Sequence, residues 1–198
     1  PLEVVIMAAG KGTRMKSRLP KVLHRLAGRA LVAHVLGRAA GLNPRRVVLV
    51  TGHGAGEVEA FLVADAKVGG APVPAFVRQE PQLGTGHAVQ QAVPELAEAG
   101  TTLILNGDVP LVRADTAQAL IQACGGEKLV LLTVLLDDPS GYGRILREGH
   151  QVRAIVEHKD ATAAQREIRE GYTGMMAAPT HHLRRWLANL RNDNVQKE

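Results

Sequence analysis

Aromatic side chains are scarce: two Phe, two Tyr and one Trp among 198 residues. Binders of single-stranded nucleic acid rely on ranks of stacking aromatics, so that class is not expected. Cysteine occurs once, as Cys124, which excludes an internal disulfide and suits a reducing, cytoplasmic setting. No apolar run approaches the ~20 residues of a membrane-spanning helix. Pro1-Leu2-Glu3 leads directly into a short apolar run without a basic start, so no signal peptide is expected. Acidic residues are absent between Glu3 and Glu57, a stretch that carries Lys11, Arg14, Lys16, Arg18, Lys21, Arg25, Arg29, Arg38, Arg45 and Arg46. The net charge is +5, and an acid-free basic segment attracts polyanions. Its first part runs through a glycine-rich turn, which favours a small phosphate ligand over a nucleic-acid duplex. Arg38, Arg45 and Arg46 read as a solvated basic face.

The apolar pattern is that of an α/β protein. Val4 to Ala9, Val47 to Thr51, Thr102 to Leu105 and Leu129 to Leu136 are short continuous runs, expected as buried strands of a parallel sheet. Pro74 to Val77 adds a further short strand. Helices are expected over residues 20–40 with a break at Gly28, 57–63, 86–99, 160–170 and 180–190, and from an N-cap at Asp115 to Ala123. Strands alternating with helices imply right-handed crossovers and a parallel sheet. Residues 143–157 read as a hairpin turning near Glu148-Gly149. One domain with a small β-hairpin insert is the economical arrangement.

Five segments carry chemistry. In Ala8-Ala9-Gly10-Lys11-Gly12-Thr13-Arg14-Met15, glycines after a strand let backbone N–H groups approach anionic oxygens, while Lys11 and Arg14 add charge. Arg14 has the bidentate geometry that suits phosphate. The segment is neither a Walker A loop nor a dinucleotide fingerprint. Taken alone, it is equally a ligand-free turn. In Leu19-Pro20-Lys21, a lysine at a helix start opposes the macrodipole, as expected if it meets an anion, although a solvated lysine fits too. Gln82-Leu83-Gly84-Thr85-Gly86-His87-Ala88 opens a helix through a tight turn able to hydrogen-bond a planar base, and the Gln79 amide suits a pyrimidine edge. His87 reads as a capping or packing residue. Asn106-Gly107-Asp108 ends a central strand, where open α/β sheets bind ligands, and its carboxylate is the best candidate to share Mg²⁺ with phosphate oxygens. Gly141-Tyr142-Gly143-Arg144-Ile145 with Val156-Glu157-His158-Lys159-Asp160 permits close approach to a sugar, Glu157 accepting from its hydroxyls. No nucleophilic triad and no zinc pattern stands out.

Together, and in this order along the whole chain, these segments resemble the N-terminal uridyltransferase domain of the bacterial bifunctional N-acetylglucosamine-1-phosphate uridyltransferase/glucosamine-1-phosphate acetyltransferases. The resemblance implies a Rossmann-like nucleotidyltransferase fold, a mostly parallel sheet flanked by helices. It implies a cytoplasmic, Mg²⁺-dependent enzyme that joins UTP and N-acetylglucosamine 1-phosphate into UDP-N-acetylglucosamine and pyrophosphate, for peptidoglycan precursors. Ala8, Ala9 and Gly10 would contact the nucleotide, and Gln79, Gly84 and Thr85 the uracil. Arg14 and Lys21 would hold phosphates, and Asp108 the Mg²⁺. Gly143 and Glu157 would contact the sugar, with Asn106, Gly107 and Tyr172 at further substrate-binding positions. Asn106 replaces the family's tyrosine, and Tyr172 replaces an asparagine that bonds the sugar. The family's domain continues past Glu198 to a second, asparagine Mg²⁺ ligand and a β-helix acetyltransferase domain. Residues 1–198 are thus expected to be an incomplete uridyltransferase domain. Trimerisation belongs to the β-helix, so the full-length parent is expected to be a trimer and this shorter chain is compatible with a monomer. Another sugar-1-phosphate nucleotidyltransferase, or a nucleotide-binding fragment without turnover, are the alternatives.

Overall fold

The structure, a computed structural model, describes residues 1–190, the side chain of Arg14 excepted. In chain order its elements are β1 (Leu2–Met7), β2 (Arg25–Leu26), β3 (Arg29–Ala30), α1 (Leu31–Ala40), β4 (Arg46–Thr51), α2 (Ala55–Lys67), β5 (Ala75–Arg78), α3 (Gly84–Ala92) and β6 (Thr101–Asn106). There follow α4 (Ala114–Cys124), β7 (Val130–Leu135), β8 (Gly143–Glu148), β9 (Gln151–Val156), α5 (Ala163–Arg166), β10 (Glu170–Pro179) and α6 (Thr180–Ala188).

One mixed sheet runs β5-β4-β1-β6-β10-β8-β9, with β7 paired to β10. The four strands from β5 to β6 are parallel. From β10 onward the pairings are antiparallel. The strand centres are wholly apolar because helices cover both faces. Val4, Val5, Ile6, Val48, Leu49, Val50 and Leu103 are fully buried. Alternate side chains supply two cores. Val4, Ile6, Leu49, Leu103 and Leu105 meet Val32, Val35 and Leu36 of α1, Val58 and Leu62 of α2 and Leu120 of α4. On the other face Val5, Val48, Val50 and Ile104 meet Ala88 and Val89 of α3 and Leu183 and Leu187 of α6. Each fully buried Leu, Ile or Val contributes about 1.5–3 kcal/mol.

The strand order reverses at β1, which lies between β4 and β6. The chain leaves it for β4 and β5 on one side, then returns to β6 on the other. That change of direction opens a crevice at the carboxyl ends of β1 and β6.

The expected α/β class and the 143–157 hairpin are present, but several elements differ from the sequence reading. Residues 20–40 are not one interrupted helix. A single 3₁₀ turn at Lys21–Leu23 precedes the small β2–β3 hairpin, and α1 starts only at Leu31. Ala27 and Gly28 both have positive φ, 48° and 80°, the requirement of a two-residue hairpin turn. The helix expected over 86–99 starts at Gly84 and ends at Ala92, giving way to a 3₁₀ turn that contains Pro94. The polar helix expected over 160–170 shrinks to Ala163–Arg166, held by a capping box between Thr162 and Gln165. Asp115 lies inside the first turn of α4, not at its N-cap, which is Arg113. β7 is antiparallel to β10 rather than part of the parallel set.

Candidate active site

The loop after β1 is built around Gly12. Its φ of 59° is left-handed, and a Cβ there would lie 2.7 Å from Lys21 Cβ. Only glycine permits both the turn and the close approach of Lys21. Lys21 is thereby set opposite the end of β6, where its ammonium pairs with the Asp108 carboxylate. Both side chains remain partly open, at 34% and 25%. Lys21 is therefore not a merely solvated lysine.

Asp108 follows a tight juncture. The Gly107 N–H donates to the Met7 carbonyl at 2.9 Å, and a Cβ on Gly107 would stand 3.1 Å from that oxygen. Gly107 is buried and serves the packing of β6 on β1. Asn106 donates from its side-chain nitrogen to the Thr173 carbonyl at 3.0 Å, which ties the end of β6 to β10.

These groups border a cavity of about 850 Å³. Ala8, Ala9, Gly10, Lys11 and Gly12 form one wall, and Lys21, Asn106 and Asp108 a second. Gln79, Gln82, Gly84 and Thr85 form a third. Gln82 was not singled out from the sequence. Its amide donates to the Ala9 carbonyl at 2.8 Å, joining the first wall to the third. Only the absence of a side chain at Gly52 leaves room, since a Cβ there would meet Gln82 Nε2 at 2.7 Å. Gln79 is 3% exposed. Its backbone N–H donates to Thr51 at the end of β4, and its side-chain nitrogen donates to the Gly84 carbonyl at 2.8 Å.

Gly143, Glu157 and Tyr172 do not line this cavity. They form a second group beside it. Tyr172 pairs with Gly143 across β10 and β8. A Cβ on Gly143 would meet Ile155 Cγ2 at 2.9 Å and Glu157 Oε1 at 3.3 Å, so the glycine gives Glu157 its place. The link between the two groups is β10 itself, where Tyr172 precedes the Thr173 carbonyl that holds Asn106.

The Tyr172 hydroxyl is buried and has no hydrogen-bond partner. Burial first, and then the charge of Glu157, push its pKa well above the ordinary phenol value, so the proton stays on. A buried hydroxyl left unpaired costs about 1–3 kcal/mol, which a ligand acceptor would recover. Arg144, which follows Gly143 in sequence, is the opposite case. It is 1% exposed and spends its guanidinium on the carbonyls of Pro139 at 2.7 Å, Tyr142 at 2.5 Å and Arg166 at 3.3 Å. Its role is to shape the 139–143 loop.

Among the described residues no three His, Cys, Asp or Glu side chains converge to hold a metal. The charged groups lining the cavity are one carboxylate, Asp108, and two ammonium groups, Lys11 and Lys21. A single carboxylate fits a divalent ion that draws its other ligands from phosphate oxygens and water.

A glycine-rich loop at the carboxyl ends of a parallel sheet, with a lysine–aspartate pair across a crevice, defines an α/β domain that handles nucleotides. The chain belongs to the MobA-like NTP transferase domain family, which it matches over residues 4–191. It is 65% identical to the bifunctional protein GlmU of Methylibium petroleiphilum over 201 residues, 100% of this chain and 43% of that protein. To the bifunctional protein GlmU of Stutzerimonas stutzeri it is 54% identical over 198 residues, 100% of this chain and 42% of that one. The chain thus spans about two-fifths of the length of the curated relatives it matches. A solved UDP-glucose pyrophosphorylase complexed with UDP-glucose superposes with a TM-score of 0.76 at 15% identity, over 98% of this chain and 81% of that one. HddC from Yersinia pseudotuberculosis gives a TM-score of 0.68 at 22% identity, over 92% and 79%. At such identities these structures establish the shared nucleotidyltransferase fold.

Proposed function

We propose that this domain forms UDP-N-acetylglucosamine and pyrophosphate from UTP and N-acetylglucosamine 1-phosphate, with Mg²⁺. The observation that carries the reading is the Lys21–Asp108 pair facing the glycine loop across one cavity. The identity to bifunctional GlmU proteins along the whole chain supports the choice of nucleotide and sugar.

In this reading a phosphate oxygen of the sugar phosphate attacks the α-phosphorus of UTP. The bond from that phosphorus to the bridging oxygen of the β-phosphate breaks, and pyrophosphate leaves. No protein nucleophile is required, so the domain acts by positioning and by neutralising charge. Backbone N–H groups of residues 9–12 receive the phosphates, the Ala8 N–H being donated to the Val50 carbonyl, and they are aided by Lys21 and by Arg14, whose side chain lies outside the described part of the molecule. Asp108 would hold Mg²⁺, which spreads the negative charge of the triphosphate. Gln79, Gly84 and Thr85 bound the base, while Gly143, Glu157 and Tyr172 face the sugar. The asparagine ligand that the resemblance implies is sought beyond Glu198, and residues 191–198 lie outside the described part.

The test is pyrophosphate release from UTP and N-acetylglucosamine 1-phosphate in Mg²⁺, with and without EDTA, by this chain and by a version extended to the full length of its relatives. Release that EDTA abolishes is expected. Absence of release from both proteins sinks the proposal. Among the described residues no helix is long and apolar enough to cross a membrane.

A further inference from the structure

Strand β10 passes from β8 to the parallel strands through an irregular joint. Its first part pairs with β8, as far as Tyr172 opposite Gly143. Its last part pairs with β6, from Met176 opposite Ile104. Against β7 the register jumps between these points. Four steps along β10, from Tyr172 to Met176, match two along β7, from Thr133 to Leu131. Residues 173–175 are thus a bulge that holds two extra residues. Bulges beside functional sites re-aim the side chain next to them.

Side chains hold this bulge from two neighbouring strands. The Thr173 hydroxyl donates to the Leu132 carbonyl of β7 at 2.7 Å and accepts from the Met175 N–H at 3.3 Å. From the end of β6 the Asn106 amide donates to the Thr173 carbonyl at 3.0 Å. A backbone oxygen only accepts, so this bond sets the Asn106 NH₂ towards the bulge. Gly174 makes the approach possible. Its φ is 82°, and a Cβ there would stand 2.9 Å from Asn106 Nδ2.

Tyr172 stands immediately before the bulge, and its buried hydroxyl has no partner. A slip of one residue in such a strand turns a side chain to the other face of the sheet. The hydroxyl meets a ligand only while the bulge is held. Asn106, which holds it, also lines the nucleotide cavity.

We propose that Asn106 is a positioning residue for the sugar. Through the Thr173 carbonyl it fixes the β10 bulge and so aims the Tyr172 hydroxyl, from a place in the wall of the nucleotide cavity. The proposal rests on the sugar-nucleotide reading above. It adds the joint that sets the two sides of the site against each other.

Binding of UDP and of UDP-N-acetylglucosamine, each with Mg²⁺, is measured by calorimetry. The proteins are the wild-type chain, Asn106→Leu, Tyr172→Phe and the double variant. Changes in the ratio of the two affinities report the sugar. Y172F should lower the preference for UDP-N-acetylglucosamine about fivefold, the worth of one hydrogen bond. N106L keeps the size of the side chain, loses its donor and should lower the ratio as well. In the double variant N106L should add no further loss, because the hydroxyl that Asn106 aims is gone. Should N106L not fold, Asn106→Ala replaces it, since it also lacks a donor, and the same pattern is expected. A merely structural role would weaken both ligands alike and leave the ratio unchanged. Independent contacts would give losses that multiply in the double variant. Either result overturns the proposal and leaves the sugar-nucleotide reading standing. A Y172F protein with the wild-type ratio overturns the proposal together with the place of Tyr172 at the sugar. A chain that binds neither ligand is replaced by the version extended to the full length of its relatives, and binding by neither protein overturns the whole reading.

Discussion

The Lys21–Asp108 pair stands between two functions. With no ligand it satisfies both charges in a partly open crevice, and in the proposed reaction the ammonium would serve phosphate oxygens instead. Lys21→Ala should lower the rate of pyrophosphate release about 10²-fold, by analogy with other electrostatic donors to a reacting centre. An unchanged kcat/KM would remove Lys21 from the proposed machinery. Tyr172 gives a sharper division between stability and function. Tyr172→Phe deletes a hydroxyl that has no partner, so the protein should become no less stable, or about 1 kcal/mol more so. The KM for the sugar phosphate should nevertheless rise, because the ligand loses a donor. Comparing urea midpoints with steady-state kinetics separates the two effects. Most cavity residues were legible because they lie in short glycine-bearing segments whose backbone must approach a ligand. The contact between the Gln79 and His87 side chains was not, since residues eight apart in a turn-to-helix junction carry no periodic signal. Nor was the burial of Arg144, because nothing in its segment signals a guanidinium turned inward onto backbone carbonyls.

At the scale of elements, the strands with both faces covered were readable from their unbroken apolar runs, and the β10 strand was not. Gly171 and Gly174 interrupt it, the register shifts between Tyr172 and Met176, and a polar stretch leads into it. The 20–40 segment misled for a different reason. Its apolar spacing is helical, but Ala27-Gly28 turns the chain before a helix can propagate. Gly54, the N-cap of α2, shows how tightly such junctions are set: φ is 69° and a Cβ would lie 2.5 Å from Pro20 Cγ. Gly54→Ala should cost about 2 kcal/mol through left-handed strain and the displaced proline, read as a lower urea midpoint. The contact between α2 and β5 supplies a pH dependence. Arg78 is hydrogen-bonded to Glu59 and is the main cause holding that carboxyl below its ordinary 4.5, with Thr51 assisting against the opposing effect of burial. The unfolded chain therefore takes up this proton at higher pH than the folded one. The stabilisation is complete above the unfolded value and is lost as pH falls through the folded value. Stability measured from pH 6 down to about pH 3, a range that brackets carboxylate titration, should decline less steeply in Glu59→Gln.

On the scale of the whole molecule, the two ends of the sheet do different work. At the amino ends of the parallel strands Glu3 is fully buried, accepting from Arg45 Nε at 2.8 Å and from the Ala97 N–H at 2.9 Å. This carboxylate joins β1, the approach to β4 and the segment after α3, at the opposite end of β1 from the cavity. Glu3→Gln should cost about 2 kcal/mol, the worth of hydrogen bonds to a charged group, and leave the KM for UTP unaltered. At the carboxyl ends the sheet changes polarity between β6 and β10. Because β10 runs backwards, it brings the Thr173 carbonyl onto Asn106 at the cavity's edge, with Tyr172 next in sequence, without lengthening any parallel strand. In the proposed reading the sugar side of the site, β8 to β10, stands beside a nucleotide side built on the parallel strands. On that reading, exchanging residues 139–174 between relatives should alter which sugar is accepted while the nucleotide preference stays with the parallel strands.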